Sequence, residues 1–167
     1  MRSAREIIAL LGLVPHPAEG GYFTETWRSS ESLAVSALPA RYRGARAAGT
    51  AIYYLLDESS FSAMHRLDTD EVFHFYLGDP VEMLLLEPDG GGRVIRLGPD
   101  LAAGQRPQVV VPRGVWQGSR LVAGGHVALL GTTMAPGFDP GDFRSGDRVS
   151  LISGWPKFAE LITTLTR

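Results

Sequence analysis

The sequence predicts a mainly β protein, folded as a sandwich or a small closed barrel with short helices near its two ends. Between residues 21 and 134, short runs rich in β-branched and aromatic residues follow one another at regular spacing. Turn signals such as Gly20–Gly21, Gly78–Asp79–Pro80 and Gly124–Gly125 separate these runs. Parallel βαβ architecture is excluded because no helical pattern lies between the strands to serve as a crossover. The 167 residues are expected to form one domain spanning residues 1–167.

A short amphipathic helix is predicted at the start of the chain, from about Ala4 to Leu11, ending near Gly12. Its apolar residues recur at helical spacing, and Ser3 with Glu6 forms the Ser-x-x-Glu capping box that marks a helix start. The same apolar run, with arginines before it, also has the length of a signal-peptide core. However, the acidic Glu6 stands between the arginines and the apolar run, and no cleavage motif follows before the first proline. We therefore expect a folded helix.

The strands are predicted in chain order as GYFTETWR, TAIYYLL, EVFHFYL, VEMLLLE, RVIRLG, QVVVP, VWQGSRLV and HVALLGTTM. Residues 33–49, rich in Ala and Arg, are expected to form a loop after the first strand. Residues 135–148 are dense in Gly, Pro and Asp and carry Phe138 and Phe143. This segment is expected either to fold over a barrel mouth or to be an anchored surface connection. A second helix is predicted from Lys157 to about Leu165.

The composition excludes several classes of protein. The net charge is −2, from 16 Lys and Arg against 18 Asp and Glu, and no basic run is interleaved with aromatic residues. Nucleic acid is therefore not an expected partner. No apolar run is long enough to cross a membrane. The absence of cysteine excludes disulfides, zinc–thiolate sites and thiol nucleophiles, and it fits a reducing, cytoplasmic location.

Two spacings in the middle of the chain resemble the two ligand-bearing motifs of the cupins. In the first, His65 is followed at motif spacing by Leu67, Glu71 and Gly78. In the second, VPRGVWQ ends in Gln117 at the position of the motif's histidine. The resemblance implies a single-domain jelly-roll barrel built from two β-sheets.

Four blocks extend the resemblance over most of the chain. They are GLVPHPAEGGYFTETWRS, HRLDTDEVFHFYLGDP, PQVVVPRGVWQ and APGFDPGDF. In this order they are similar to the cupin_5 group, also labelled DUF985. That resemblance implies a β-sandwich barrel like that of the sugar-epimerase cupins, usually dimeric, with no settled reaction.

The resemblance implies a metal site only in part. A metal-binding cupin holds its ion with three histidines and a glutamate, whereas this chain retains His65 and Glu71 and has Leu67 and Gln117 at the other positions. Leucine cannot bind a metal, and a glutamine oxygen is a weak ligand suited to hard divalent ions. His65, Glu71 and Gln117 therefore form an incomplete divalent-metal site. His74 is expected to point away from the cavity, because strand side chains alternate between faces.

Proton transfer without a cofactor is the other interpretation of the same residues. His65 suits a general base because its ordinary pKa is close to neutral, and a nearby aspartate could orient its ring. Glu71 follows it in the motif, and Tyr53, or Tyr54 from the opposite face of the same strand, could present a phenol as the acid. That arrangement would resemble the sugar-epimerase cupins, which remove a proton next to a carbonyl without a metal.

A ligand-binding wall, apolar with a few polar groups, is expected around these residues. Strand parity places two phenylalanines on the face of Glu71 and a serine on the face of Gln117. Arg66 is expected either to hold an anionic substituent or to be solvated at the surface. The expected ligand-binding residues are Phe73, Phe75, Gln117, Ser119, Arg66 and Phe138.

Three functions remain open, each with a small-molecule ligand. The first is a metal-independent isomerase or epimerase acting on a sugar-like or keto-acid substrate, with His65 as base and no cofactor required. The second is a divalent-metal-dependent enzyme, and the third is a binding protein that catalyses no reaction. A homodimer is expected because TAIYYLL and VEMLLLE carry apolar residues on both strand faces, although terminal helices could cover the outer faces instead.

Overall fold

The architecture is described by a computed structural model, which covers residues 2–167 and confirms the predicted mainly β sandwich. The strands are β1 (Val14–Pro15), β2 (Tyr22–Arg28), β3 (Ser32–Leu33), β4 (Arg46–Ala47), β5 (Thr50–Asp57), β6 (Phe61–Arg66), β7 (Glu71–Gly78), β8 (Val81–Leu86), β9 (Gly92–Leu97), β10 (Gln108–Val111), β11 (Trp116–Leu121), β12 (Val127–Met134) and β13 (Arg144–Ser145). The α-helices are α1 (Ala4–Leu11), α2 (Arg148–Gly154) and α3 (Ala159–Thr164).

Two antiparallel sheets face each other across the core. The first sheet has six strands in the order β1-β2-β5-β12-β7-β10, and the second has five in the order β13-β6-β11-β8-β9. The short strands β3 and β4 pair as a separate hairpin around the predicted loop. Apolar side chains from both inner faces fill the interior, among them Leu56, Phe73, Met83 and Leu130. The alternation of inward and outward residues along each strand produces this single apolar layer.

Each predicted strand is present, with ends that differ by one residue at most. One long strand, β6, was not predicted, because FSAMHR mixes small and polar residues and shows no β-branched alternation. It lies between β13 and β11 in the second sheet and carries His65. The histidine and Glu71 therefore reach the interior from opposite sheets.

A β-bulge in β6 sets the direction of two side chains. Ser119 of β11 pairs with Ser62, and Gln117 pairs with His65, so two residues of β6 lie opposite Gly118 alone. Ser62 and His65 are consequently both turned inward, each with only 1% of its surface exposed. A bulge re-aims the side chains next to it, and such irregularities are common beside binding sites.

The N-terminal helix α1 forms as predicted. The side chain of Ser3 accepts a hydrogen bond from the N–H of Glu6, and the Glu6 carboxylate accepts one from the N–H of Ser3. The helix ends at Gly12, whose φ of 63° is a left-handed conformation that glycine adopts without strain. Ile7 packs against Leu55 and Leu129, so α1 covers part of the outer face of the first sheet.

The C-terminal helices cover the outer face of the second sheet. Leu84 and Leu86 of β8 pack against Leu151 of α2 and Ile162 of α3. Helix α2 was not predicted, because RVSLISG is a short segment with a weak helical pattern. The predicted helix 157–165 is present only as 159–164, since residues 156–158 form a 3₁₀ turn that begins with proline.

Residues 2–167 contain no helix that is both long enough and apolar enough to span a bilayer.

Candidate functional site

A cavity of about 60 Å³ lies within the sandwich against the inner face of the first sheet. It is lined by His16, Glu19, Phe23, Glu25, Thr50, Ile52, Leu67, Glu71, Thr132, Met134 and Phe138. Since roughly 10–15 Å³ of such space holds one water molecule, the cavity accommodates about four to six non-hydrogen atoms. Phe138 belongs to the segment 135–148, and its N–H donates to the hydroxyl of Thr50 over 3.0 Å. That segment therefore supplies part of the cavity wall.

Glu71 is a buried carboxyl group at this cavity. It begins β7 with 6% of its surface exposed, and the side-chain amide of Gln117 donates a hydrogen bond to its Oε2 over 2.8 Å. Burial in an apolar environment, followed by the negative charge of Glu19, raises the pKa of Glu71 to about 7. Near neutral pH this group therefore exchanges between its acid and its carboxylate form.

Glu19 and His16 were not predicted as site residues, yet both line the cavity. The His16 Nδ1 accepts backbone N–H groups from Ala18 at 3.3 Å and Glu19 at 2.9 Å, so its proton lies on Nε2. That Nε2 is 3.7 Å from Oε1 of Glu19. Burial lowers the pKa of His16 and raises the pKa of Glu19, and the attraction between the two groups opposes both shifts. Neither residue stands at a position of the two cupin motifs, so motif spacing did not identify them.

His65 lies behind Glu19 and adopts the opposite tautomer. Its Nδ1 is 2.8 Å from the carbonyl oxygen of Ala63, which only accepts, so the proton lies on Nδ1 and Nε2 carries a lone pair. The bare Nε2 is 3.7 Å from Oε1 of Glu19 and has no hydrogen-bond partner. Burial lowers the pKa of His65, and its ring stacks on Phe143 with centroids 5.0 Å apart. The imidazole is thus neutral and able to accept a proton.

The aspartates near His65 in sequence do not orient its ring. Asp70 accepts the backbone N–H of Arg113 over 2.8 Å, and Asp68 lines a separate surface cleft. The Ala63 carbonyl performs that role instead. The bulge in β6 brings this carbonyl into reach, which explains why sequence proximity was misleading.

Tyr54, and not Tyr53, is turned toward the interior. Tyr54 is 1% exposed, and its hydroxyl donates to the carbonyl oxygen of Gly20 over 2.8 Å. Burial, followed by the charge of Glu19, raises its pKa well above the ordinary value. Tyr53 lies on the outer face, where its ring meets Tyr76 edge-on. Because side chains alternate along a strand, only one of the two tyrosines can face the interior. Tyr53, the outward one, packs against the apolar cluster that includes Ile7 of α1.

The other predicted ligand-binding residues are divided between cavity, core and surface. Phe138 lines the cavity, whereas Phe73 and Phe75 pack within the apolar core. Arg66 is exposed, with its guanidinium 4.7 Å from the ring centre of Trp116, as expected for solvation at the surface. His74 faces away from the cavity and lies 3.1 Å from the hydroxyl of Thr133.

Three buried polar atoms of the interior lack a hydrogen-bond partner, and none of them belongs to a residue that lines the cavity. They are Nε2 of His65, Oε1 of Gln117 and Oγ of Ser119. Gln117 and Ser119 lie two residues apart on the inward face of β11, and Gln117 pairs with His65 across the sheet. An unpaired buried polar atom costs about 1–3 kcal/mol, but Gln117 and Ser119, which were expected in the ligand-binding wall, are not part of the cavity lining.

The residues at the metal-ligand positions do not fit a metal ion. Leu67, at the second histidine position, places an apolar side chain in the cavity wall. Gln117 directs its amide nitrogen, a donor, at Glu71. Within residues 2–167, no group of three or more His, Cys, Asp or Glu side chains has the geometry to hold an ion.

Comparison with known proteins identifies the relatives of this chain. A family model described as Cupin superfamily (DUF985) matches residues 5–145. An uncharacterized protein of Saccharomyces cerevisiae is 30% identical over 170 residues, which cover 95% of this chain and 84% of the yeast protein. A protein of Shewanella oneidensis superposes with a TM-score of 0.88 at 32% identity, over 100% of this chain and 99% of that one.

Two further structures show how widely the fold is shared. A hypothetical protein from Leishmania major has a TM-score of 0.88 and 29% identity, covering 99% of both chains. Oxalate decarboxylase of Bacillus subtilis has a TM-score of 0.53 and 12% identity, covering 92% of this chain and 37% of its own. At that identity, the likeness shows a common fold and nothing about the reaction.

Proposed function

Because the chain belongs to the Cupin_5 (DUF985) family of the cupin superfamily, whose fold binds small molecules, we propose that its acidic cavity binds a small polar metabolite and moves a proton on it without a metal. One observation carries this proposal. Two largely buried carboxyl groups, Glu19 and Glu71, line one small cavity, and the bare Nε2 of His65 lies 3.7 Å from Glu19. Pairs of buried acids with raised pKa values are typical of acid–base catalysis.

The size and charge of the cavity favour one of the two substrate classes expected from the sequence. The carboxylate of a keto acid would be repelled by the ionised Glu19, which lines the cavity. A neutral, sugar-like hydroxycarbonyl compound has hydroxyl and carbonyl groups that the carboxyls and imidazoles can bind. A space of about four to six non-hydrogen atoms accepts a two- or three-carbon compound, or one end of a longer one that extends past Phe138.

The two carboxyls supply the base and the acid for an isomerisation. Glu19, ionised, accepts the proton from the carbon next to the carbonyl, and the C–H electron pair forms a C=C bond while the carbonyl electrons move to oxygen. Glu71, protonated, donates its proton to that oxygen, giving a neutral enediol. Glu19 then donates its proton to the former carbonyl carbon, while Glu71 takes the proton of the hydroxyl on the neighbouring carbon, whose oxygen becomes the new carbonyl. The negative charge of Glu19 helps to raise the pKa of Glu71, which favours one proton on the pair, held by Glu71, at neutral pH.

His65 acts through Glu19 in this proposal, since Glu19 is the group at the cavity surface. The two imidazoles flank the same carboxyl oxygen, each at 3.7 Å, with a proton on the facing nitrogen of His16 and none on that of His65. His65 is therefore a positioning residue, whose Nε2 can accept a hydrogen bond from Glu19 once Glu19 is protonated. Its replacement in His65→Gln is expected to shift the pH at which the rate is half-maximal, as well as lowering the rate.

The test is hydrogen–deuterium exchange at carbon, followed by proton NMR in D₂O with glycolaldehyde, glyceraldehyde and dihydroxyacetone. We expect the protein to accelerate exchange of the proton next to the carbonyl. Glu19→Gln and Glu71→Gln should each lose about 100-fold or more of that rate, as expected for general acid–base groups. Glu58→Gln is the matched control, because 73% of its side chain is exposed and it lies at another surface cleft. Equal rates in Glu71→Gln and the wild-type protein would contradict the assignment.

A binding protein that catalyses no reaction is the second candidate. It is favoured by the position of His65, the base expected from the sequence, which does not line the cavity and reaches it only through Glu19. The same NMR samples distinguish the two functions. Line broadening or saturation transfer to a ligand, with no exchange above buffer, would support binding alone.

We also propose that the chain forms a homodimer in the cytoplasm. The outer face of the first sheet supports the dimer, since Tyr76 and Val110 are each 50% exposed there. The cysteine-free composition supports the reducing location.

A further inference from the structure

We propose that a second site, separate from the acidic cavity, binds the phosphate group of a small phosphate ester. A cleft of about 350 Å³ at the surface is lined by four arginines, Arg41, Arg43, Arg46 and Arg144, and we call it the arginine cleft. Binding at the arginine cleft does not depend on any reaction in the acidic cavity. This proposal therefore goes beyond the proposed function and is independent of it.

The carboxylates of the arginine cleft are already engaged by its own guanidinium groups. Asp142 accepts a hydrogen bond from Arg46 over 2.6 Å, and Asp139 lies 3.9 Å from the same guanidinium. Asp68 lies 4.0 Å from Arg144. The lining thus holds four cations and three anions. The remaining positive charge can attract an incoming anion.

Two of the four arginines, Arg46 and Arg41, are held in place by contacts within the protein before any ligand binds. Arg46 is 7% exposed, and its Nε is buried without a hydrogen-bond partner. The guanidinium of Arg41 lies 4.6 Å from the ring centre of Tyr42, and its Nε donates to the backbone oxygen of Asp68 over 3.1 Å. Tyr42 is buried, with its hydroxyl 2.8 Å from that of Thr69. Pre-organised guanidinium groups lose little conformational entropy when they bind an oxyanion.

The chemistry of the lining favours phosphate over other anions. Planar guanidinium groups donate paired hydrogen bonds to phosphate oxygens, and several around one cleft can contact different oxygens of a tetrahedral group. A long polyanion is disfavoured because the whole chain carries a net charge of −2. A volume of about 350 Å³ instead suits a phosphate with a small organic group attached.

The arginine cleft lies on the other side of the wall that closes the acidic cavity. Leu67 and Phe138 line the cavity, and the residues that follow them, Asp68 and Asp139, line the cleft. A phosphate ester bound there would contact the segment 138–144, whose first residue, Phe138, lines the cavity. The two sites are therefore close together but lined by different side chains.

The experiment is isothermal titration calorimetry with glycerol phosphate and with inorganic phosphate, at constant ionic strength set by chloride. We expect saturable binding at one site per chain, tighter for the ester than for inorganic phosphate. Arg41→Gln/Arg43→Gln should weaken it by about tenfold or more, since charge-assisted hydrogen bonds are lost. Both side chains are exposed, so the variant is expected to keep its fold, which thermal unfolding would check.

The matched control is Arg2→Gln/Arg5→Gln, which makes the same change in charge at two exposed positions in and beside α1. It should bind the ester as the wild-type protein does, and Glu71→Gln should do the same. No saturable binding, or equal weakening in the control, would overturn the site. Loss of binding in Glu71→Gln would place the ester in the acidic cavity instead. Equal affinity for inorganic phosphate would overturn the ester as its ligand.

Discussion

At the scale of single residues, the ionisation of Glu71 is coupled to folding. Its pKa in the folded protein, about 7, lies above the ordinary value of 4.5 because burial and then Glu19 oppose its charge. The folded state therefore binds this proton more tightly than the unfolded state does. The stabilisation is fully present below pH 4.5 and is lost as the pH rises toward 7.

We predict that the free energy of unfolding of Glu71→Gln, measured relative to the wild-type protein, increases by about 3 kcal/mol between pH 4.5 and 8. Glutamine keeps the shape of the side chain but has no proton to lose. Urea unfolding at a series of pH values measures this difference. Glu58→Gln, at an exposed position, should show a constant difference, and a constant difference in Glu71→Gln as well would contradict the raised pKa.

The residues at the metal-ligand positions lead to a second prediction. Leu67→His combined with Gln117→His would complete a set of three histidines and a glutamate around the cavity, with His65 and Glu71 already inside. We expect this double variant to retain close to one Zn²⁺ or Mn²⁺ per chain by elemental mass spectrometry, and more than the wild-type protein purified in parallel. Equal metal content in both would show that the ligand positions do not converge.

The sequence predicted some members of the site and missed others for definable reasons. Spacing identified His65, Glu71 and Gln117, and the structure brings these three together. It could not identify Glu19 and His16, because they reach the cavity from a loop whose path depends on long-range contacts with β6. The tautomers of the two histidines follow from backbone groups that no sequence pattern specifies.

At the scale of elements, β6 was the strand that the sequence did not predict, and it positions His65 through its bulge. The strands with β-branched or aromatic alternation were all predicted, because their side chains report which face is buried. In β6, the bulge breaks that alternation, so Ser62 and His65 face the same way despite their odd spacing. The position of a bulge depends on packing against neighbouring strands. Here two residues of β6 lie opposite Gly118 of β11, which has no side chain.

We predict that Gly118→Ala destabilises the protein by about 1–3 kcal/mol through overpacking opposite the bulge. A Cβ at this position would lie 2.6 Å from the sulfur of Met64 and 3.2 Å from the backbone oxygen of Ser62. Met64 is buried with 2% exposure, so it has little room to move aside. Chemical denaturation measures the change. Gly154→Ala is the control, because a Cβ there would meet nothing within 4 Å, and equal stabilities of the two variants would count against the bulge contact.

At the scale of the whole molecule, the two outer sheet faces differ in how they are covered. Helices α2 and α3 cover the second sheet, whereas α1 covers only part of the first. The remaining face of the first sheet presents Tyr76 and Val110 to solvent, beside the half-buried His74. An exposed apolar patch on a sheet is typical of a subunit interface.

We predict that light scattering after gel filtration gives a mass of twice 18.1 kDa for the wild-type protein. Val110→Glu should give the monomer, because a buried unpaired carboxylate opposes association. Val94→Glu is the control, since Val94 is 43% exposed on β9 of the other sheet, and it should remain dimeric. A monomer mass for the wild-type protein at micromolar concentration would contradict the proposed dimer.

The unequal covering of the two faces also limits how many copies can join. A protein with one open sheet face is monovalent toward itself, because two copies related by a two-fold axis satisfy each other and present nothing to a third. In the proposed dimer, helices α2 and α3 would therefore block the addition of further copies as well as cover the second sheet. Loss of these two helices would uncover Leu84 and Leu86, make the protein divalent, and convert a closed pair into a growing fibre.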